Sequence, residues 1–259
     1  MTSFKNLQFF GPQKIANCAL FAIRNLVQSN KLSAKKFQEF ADSFVEGIRK
    51  HGLQIYFMET QYELDEDGNA IMYDALVVKA QLAFFGIALR DHDFKGHAFA
   101  SYAEVVRAPP PQGTEGRRFL FLLQTKDDPP APHFAVLMCV ARKGAKPYRW
   151  LCSLRVRADA YDTYEDFIKV EAPRYGKIEK VFEMVSYYFP LYVFTTCLGV
   201  FGGLPMRFPL LRLSFTQVAG EKYESIDSYL QAIQVAVHNS LLLCICSVYA
   251  CVFGIFDLL

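Results

Sequence analysis

Helical periodicity fills the first third of this chain and strand-like runs fill the second, and that order restricts the fold more than any single motif does. From Ala16 to Gln28 the apolar residues Leu20, Phe21, Ile23, Leu26 and Val27 recur at helical spacing, with Asn17 as the cap. Ser33 caps a second helix in which Phe37, Phe40, Ala41, Phe44, Val45 and Ile48 keep to one face, while Lys35, Lys36, Glu39 and Asp42 stand on the solvated one. A third helix is predicted from Tyr73 to Phe85, closed by Gly86. Runs at Ile87 to Leu89, Arg118 to Gln124, His133 to Ala141 and Trp150 to Val156 then read as strands, separated by prolines at 109–111 and 129–130. Helices followed by strands predict an α+β arrangement, with the helices packed on an antiparallel sheet.

The composition changes near residue 180, which places a boundary between residues 1–180 and a hydrophobic C-terminal region, 181–259. Residues 184–206 contain no Asp, Glu, Lys or Arg, and neither do residues 239–256 within a longer uncharged run from Ser228. A bilayer of about 30 Å of hydrocarbon takes roughly 20 residues of helix, so the two runs are long enough for a membrane hairpin. The competing expectation is a strand pair and a closing helix inside a soluble core, since glycine and proline interrupt the first run.

Several functions are excluded as expectations. With 28 basic and 26 acidic residues and no clustered basic face, the chain is not expected to bind nucleic acid. Seven cysteines without regular spacing do not make a disulfide framework, and no basic-then-apolar leader opens the sequence. A reducing compartment, at the cytoplasmic face, is expected. Five scattered histidines and no recurring CxxC predict no metal, and no glycine-rich phosphate loop points to a cofactor. The acidic loop Glu63 to Asn69 does not complete a calcium site. His92 and His97 read as surface loop residues.

Cys18 opens the first helix, five residues after Gln13, and His133 opens a strand much later. A helix N-terminus favours a thiolate through its unpaired N–H groups and the positive end of its dipole, a histidine supplies a general base, and a glutamine amide serves as an oxyanion donor. Donor, nucleophile and base in this order suit a papain-like cysteine hydrolase.

The stretch Gln13-Lys-Ile-Ala-Asn-Cys18-Ala-Leu-Phe-Ala-Ile-Arg-Asn25-Leu-Val-Gln28 resembles the opening of Josephin domains, the papain-like deubiquitinases of the Machado–Joseph type. His133-Phe-Ala-Val and Trp150-Leu-Cys-Ser-Leu154 are similar to that family's histidine strand and the strand after it, and the resemblance extends over about residues 5–172. It implies a deubiquitinase that cuts isopeptide bonds of ubiquitin or a ubiquitin-like modifier, with Cys18 as nucleophile, His133 as base and Gln13 in the oxyanion hole. Where the family carries the Asn or Asp of its triad this chain has Cys152, followed by Ser153, so these two complete the candidate catalytic set. Asp159 or Asp162 would substitute from beyond the strand. The alternatives are a ubiquitin-binding module with weak or no catalysis, a membrane protein with a cytosolic interaction domain, and a protease of ordinary peptides.

Overall fold

The computed structural model describes residues 10–11, 17–53, 62–64, 70–73, 75–92, 95–111, 114, 116–140, 146–185, 223, 225–235 and 238. The fold is α+β, with helices and an open six-stranded antiparallel sheet. Its contacts divide into two units, one of residues 1–39, 61–78 and 89–185, the other of residues 40–60, 79–88 and 186–259.

Local signals place the first two helices. The Asn17 side chain accepts the Leu20 N–H at 3.0 Å and starts α1 (Cys18–Val27), which stops where Gln28 turns left-handed at φ 57°. Ser33 takes the same role for α2 (Ala34–Lys50), accepting the Lys36 N–H at 3.2 Å. The predicted third helix is shorter than expected, α3 (Ala75–Phe84), and follows a small hairpin of β1 (Tyr62–Leu64) and β2 (Ala70–Tyr73).

The first unit is organised by its sheet. The strands are β3 (Ala88–Asp91), β4 (Gly116–Thr125), β5 (Pro132–Val140), β6 (Tyr148–Cys152), β7 (Asp159–Tyr161) and β8 (Tyr175–Val185), in the order β3-β8-β4-β5-β6-β7. The expected strand from Trp150 to Val156 ends early, because the chain turns after Cys152 and Arg155 returns its N–H to the Cys152 carbonyl at 3.1 Å. β8 runs through residue 180 to Val185 and takes in Met184, the first residue of the apolar run.

Both faces of β4 and β5 are covered, which is why these strands read as nearly unbroken apolar runs. On one face Phe119, Phe121, Ala135, Leu137 and Trp150 meet Phe167 of α5 (Tyr164–Glu171). Trp150 packs edge-on or tilted against Phe99, Phe121 and Phe167 at centroid distances of 5.2–5.9 Å. The other parity carries Arg118, which is buried and donates to the Leu26 carbonyl of α1 at 2.6 Å. That bond puts α1 on the face opposite Trp150 and satisfies a carbonyl at its C-terminal end. Burial holds the Arg118 guanidinium down to about 10.

Gly116 opens β4 under a tight constraint: a Cβ there would stand 2.2 Å from the Cys139 carbonyl oxygen on β5. Since that neighbour is backbone, Gly116→Ala is expected to cost about 1–3 kcal/mol, read as a lowered urea midpoint with secondary structure retained.

In the second unit, described by itself, the Phe84 ring lies 5.4 Å from Phe40 and 5.9 Å from Tyr229, which belongs to a helix over residues 226–235. Asp227 on that helix accepts from Lys50 at 2.7 Å and meets His51 at 3.0 Å. The expected hairpin spans, 184–206 and 239–256, lie outside the described residues beyond Val185. Among the described residues no helix is long and apolar enough to cross a membrane.

Candidate active site

Cys18 is the first residue of α1, so its sulphur stands at the helix N-terminus. Burial pushes the thiol pKa up, while the backbone N–H groups of Phe134, Ala19 and Cys18 itself face the sulphur and oppose that rise. The Phe134 N–H is available because of where β6 ends. Val140 donates its N–H to the Pro147 carbonyl at 2.8 Å, so even-numbered residues of β5 direct their N–H toward β6. The last β5–β6 pair is Ala135 with Cys152. Phe134 lies one residue beyond it, and its N–H meets Cys18 instead.

His133 stands next in the chain. By strand alternation it shares its face with Ala135 and Leu137, and Nε2 lies 3.3 Å from the Cys152 sulphur. His133 is 3% exposed, and that burial lowers its pKa to about 4, so the imidazole is neutral at pH 7. Cys152 is buried too, and burial raises its thiol. Among the described residues the hydrogen bond of the imidazole goes to Cys152, and Cys18 approaches the backbone of β5 rather than the ring.

Of the candidate residues, His133 and Cys152 therefore touch at one end of β5 and β6, with Cys18 by the Phe134 backbone next to them. Ser153 is buried directly after Cys152, where the turn begins. Gln13 lies outside the described residues, although the segment before it is tied to α1 by the Asn25 side chain, which accepts the Gly11 N–H at 2.9 Å. The two proposed substitutes for the third group are engaged elsewhere, Asp159 with Arg155 and Asp162 with Lys146 at 3.2 Å. His92 is not a surface residue: its ring reaches the buried Glu183 at 3.0 Å, because β8 passes beside it. His97 is exposed, with Nδ1 against the Ile178 carbonyl at 3.1 Å.

Sequence reasoning missed Tyr175, a buried tyrosine close to Cys152 whose hydroxyl takes the Trp150 indole N–H at 3.3 Å. Nothing near Tyr175 in sequence signals that role, which arises only when β8 closes against β4. Also missed was the buried Glu171, held by Arg155 and the Tyr161 hydroxyl. A scan of protein-family models finds no match for this chain, and no curated protein matches it.

The buried imidazole sets a pH dependence. Its folded pKa lies below the ordinary 6.5, so between pH 6.5 and about 4 the unfolded chain binds a proton that the native state refuses. Stability from this group is complete above pH 6.5 and falls as the pH drops through that window, by about 2–3 kcal/mol at pH 4.5. Glu183, held down to about 2 chiefly by His92 and Arg117 against the opposing effect of burial, adds its own loss only below about pH 4.5. Urea midpoints at pH 7 and pH 4.5 are expected to differ accordingly in the wild type and to converge in His133→Gln.

Proposed function

We propose that this protein is a cysteine-dependent hydrolase acting on isopeptide bonds of ubiquitin or a ubiquitin-like modifier, built on a papain-like, Josephin-type arrangement. The observation that carries the reading is the position of Cys18: first residue of a capped helix, with the Phe134 N–H at its sulphur, and therefore one residue away from His133. A nucleophile on a helix N-terminus and a base on the neighbouring strand are the two parts such chemistry needs first.

In the reaction His133 takes the Cys18 proton through the ring nitrogen that Cys152 does not occupy, and the sulphur attacks the carbonyl that follows the modifier's C-terminal glycine. The Cys18 N–H and the Gln13 amide meet the oxyanion. His133 then protonates the leaving lysine amine, and water releases the acyl group.

One feature favours a second reading, a ubiquitin-binding module without efficient catalysis. Both thiols are raised by burial and the imidazole is lowered by it, so the resting site is uncharged rather than a thiolate–imidazolium pair. Hydrolysis of a ubiquitin C-terminal amide by the full chain separates the two. Turnover that disappears in Cys18→Ala supports the hydrolase; ubiquitin binding without turnover supports the module.

A further inference from the structure

Nucleophile and base stand on separate elements, and both are referenced to the same pair of strands. His133 is part of β5, which is paired with β4 from Gly116 with Val140 to Gln124 with Pro132. Cys18 belongs to α1, a helix with buried Ala19, Leu20, Ala22, Ile23 and Leu26 that packs on β4, β5 and β6. Apolar contact of this kind is strong but non-directional, so it holds the helix on the sheet more firmly than it fixes its place along the strands. Arg118 supplies the direction. It pairs with Met138 of β5, in the strand that begins with His133, and its guanidinium donates to the Leu26 carbonyl at 2.6 Å. From Leu26 back to Cys18 the helix covers about 12 Å, and from Met138 back to His133 the strand covers about 17 Å. Anchored at Leu26, α1 therefore carries Cys18 to the His133 end of β5.

We propose that Arg118 is a positioning residue for the reaction: through the Leu26 carbonyl it sets where α1 stands along the sheet, and with it the place of Cys18 relative to the strand that holds His133. The hydrogen-bonded helix moves as a rod, so a shift at Leu26 reaches its first residue. Arg118 and Leu26 are both buried, so a lost donor is not replaced from bulk solvent. A nucleophile displaced by about 1 Å loses about 10²-fold in rate, which makes a contact two turns away from the sulphur matter to turnover. The inference rests on the hydrolase reading for its effect on turnover, not for its effect on the helix.

Three variants of the full chain test it. Arg118→Met keeps the bulk of the side chain and removes its donors, and Arg118→Lys keeps one donor on a shorter side chain. Val106→Ala, in the core on the Trp150 face, lowers stability away from α1. Alanine-methyl NMR reads the helix directly, with Ala19 assigned by its loss in Ala19→Ser. The Ala19 signal is expected to move in Arg118→Met, to move partway in Arg118→Lys, and to stay in place in Val106→Ala. In turnover of a ubiquitin C-terminal amide, kcat is expected to fall about 10-fold to 10²-fold in Arg118→Met with KM little changed, and most of that loss is recovered in Arg118→Lys. Val106→Ala keeps its kcat although its urea midpoint falls. An unmoved Ala19 signal in folded Arg118→Met overturns the inference, and so does a loss of kcat that Val106→Ala shares. Should Arg118→Met fail to fold, Arg118→Lys decides, and an unmoved Ala19 signal there overturns it. A shifted Ala19 signal with no turnover in any of the proteins would support the positioning role and remove the hydrolase reading. Turnover in the wild type that Arg118→Met leaves intact would do the reverse.

Discussion

If the proposed hydrolase function holds, Cys18→Ala is expected to lower turnover of a ubiquitin C-terminal amide by at least about 10⁴-fold, whereas Gln13→Ala is expected to retain measurable activity, about 10²-fold to 10³-fold down. The difference follows from the role proposed for each side chain. Removing the nucleophile abolishes the covalent path altogether, and the remaining groups only bind and polarise. Losing one oxyanion donor weakens transition-state stabilisation but leaves the Cys18 N–H at the first position of α1. Cys18→Ala is not expected to alter the fold much, since it removes one sulphur from a helix start that Asn17 still caps. Measuring kcat and KM separately tests the assignment, because a binding role for Gln13 would move KM alone. Equal losses in both variants would contradict it.

Glu183→Ala is expected to be the most destabilising single change in the first unit, at about 3–5 kcal/mol. The Glu183 carboxylate is 2.7 Å from Arg117 Nε and 3.0 Å from His92 Nε2, and both it and Arg117 are buried. Arg117 also donates to the Val105 and Ala108 carbonyls, tying β4 to α4 (Ala103–Arg107). Without the carboxylate, a guanidinium stays in the interior uncompensated. Removing both charges relieves that penalty, so the double variant Arg117→Met with Glu183→Leu should lose less stability than the two single changes added together. Urea unfolding of the four proteins reads the coupling directly; additive losses would mean that the pair is too well solvated to matter.

The first two helices and the inner strands are legible in the sequence because their signals are local. Asn17 and Ser33 are capping residues placed directly before apolar-periodic segments, and the apolar run of β4 follows from burial on both faces. Elements whose stability comes from distant partners are not legible. In β8, Lys177, Glu179 and Lys180 interrupt the alternation that marks a strand, and its place beside β4 depends on pairings such as Leu120 with Phe182. The end of β6 at Cys152 is equally hidden, since Leu154 and Val156 continue an apolar pattern that the turn exposes to solvent.

The candidate site divides along the same line. Helix start and strand start identify Cys18 and His133, but which group holds the imidazole is decided by register. The pairing of Ala135 with Cys152 sets that sulphur against His133, two residues along the same face, while the aspartates after β6 face Arg155 and Lys146. Tyr175 enters from a strand 23 residues after Cys152, and no spacing rule connects the two.

The central claim, that Cys18 is the nucleophile toward a modifier's C-terminus, is tested most directly by a covalent adduct. Full-length protein is treated with ubiquitin bearing a thiol-reactive group at its C-terminus, and the modified cysteine is identified by peptide mass spectrometry. An adduct on Cys18, absent in Cys18→Ala and suppressed by excess free ubiquitin, is the predicted result. An adduct on Cys152 or Cys139, or none from folded protein, would contradict the account.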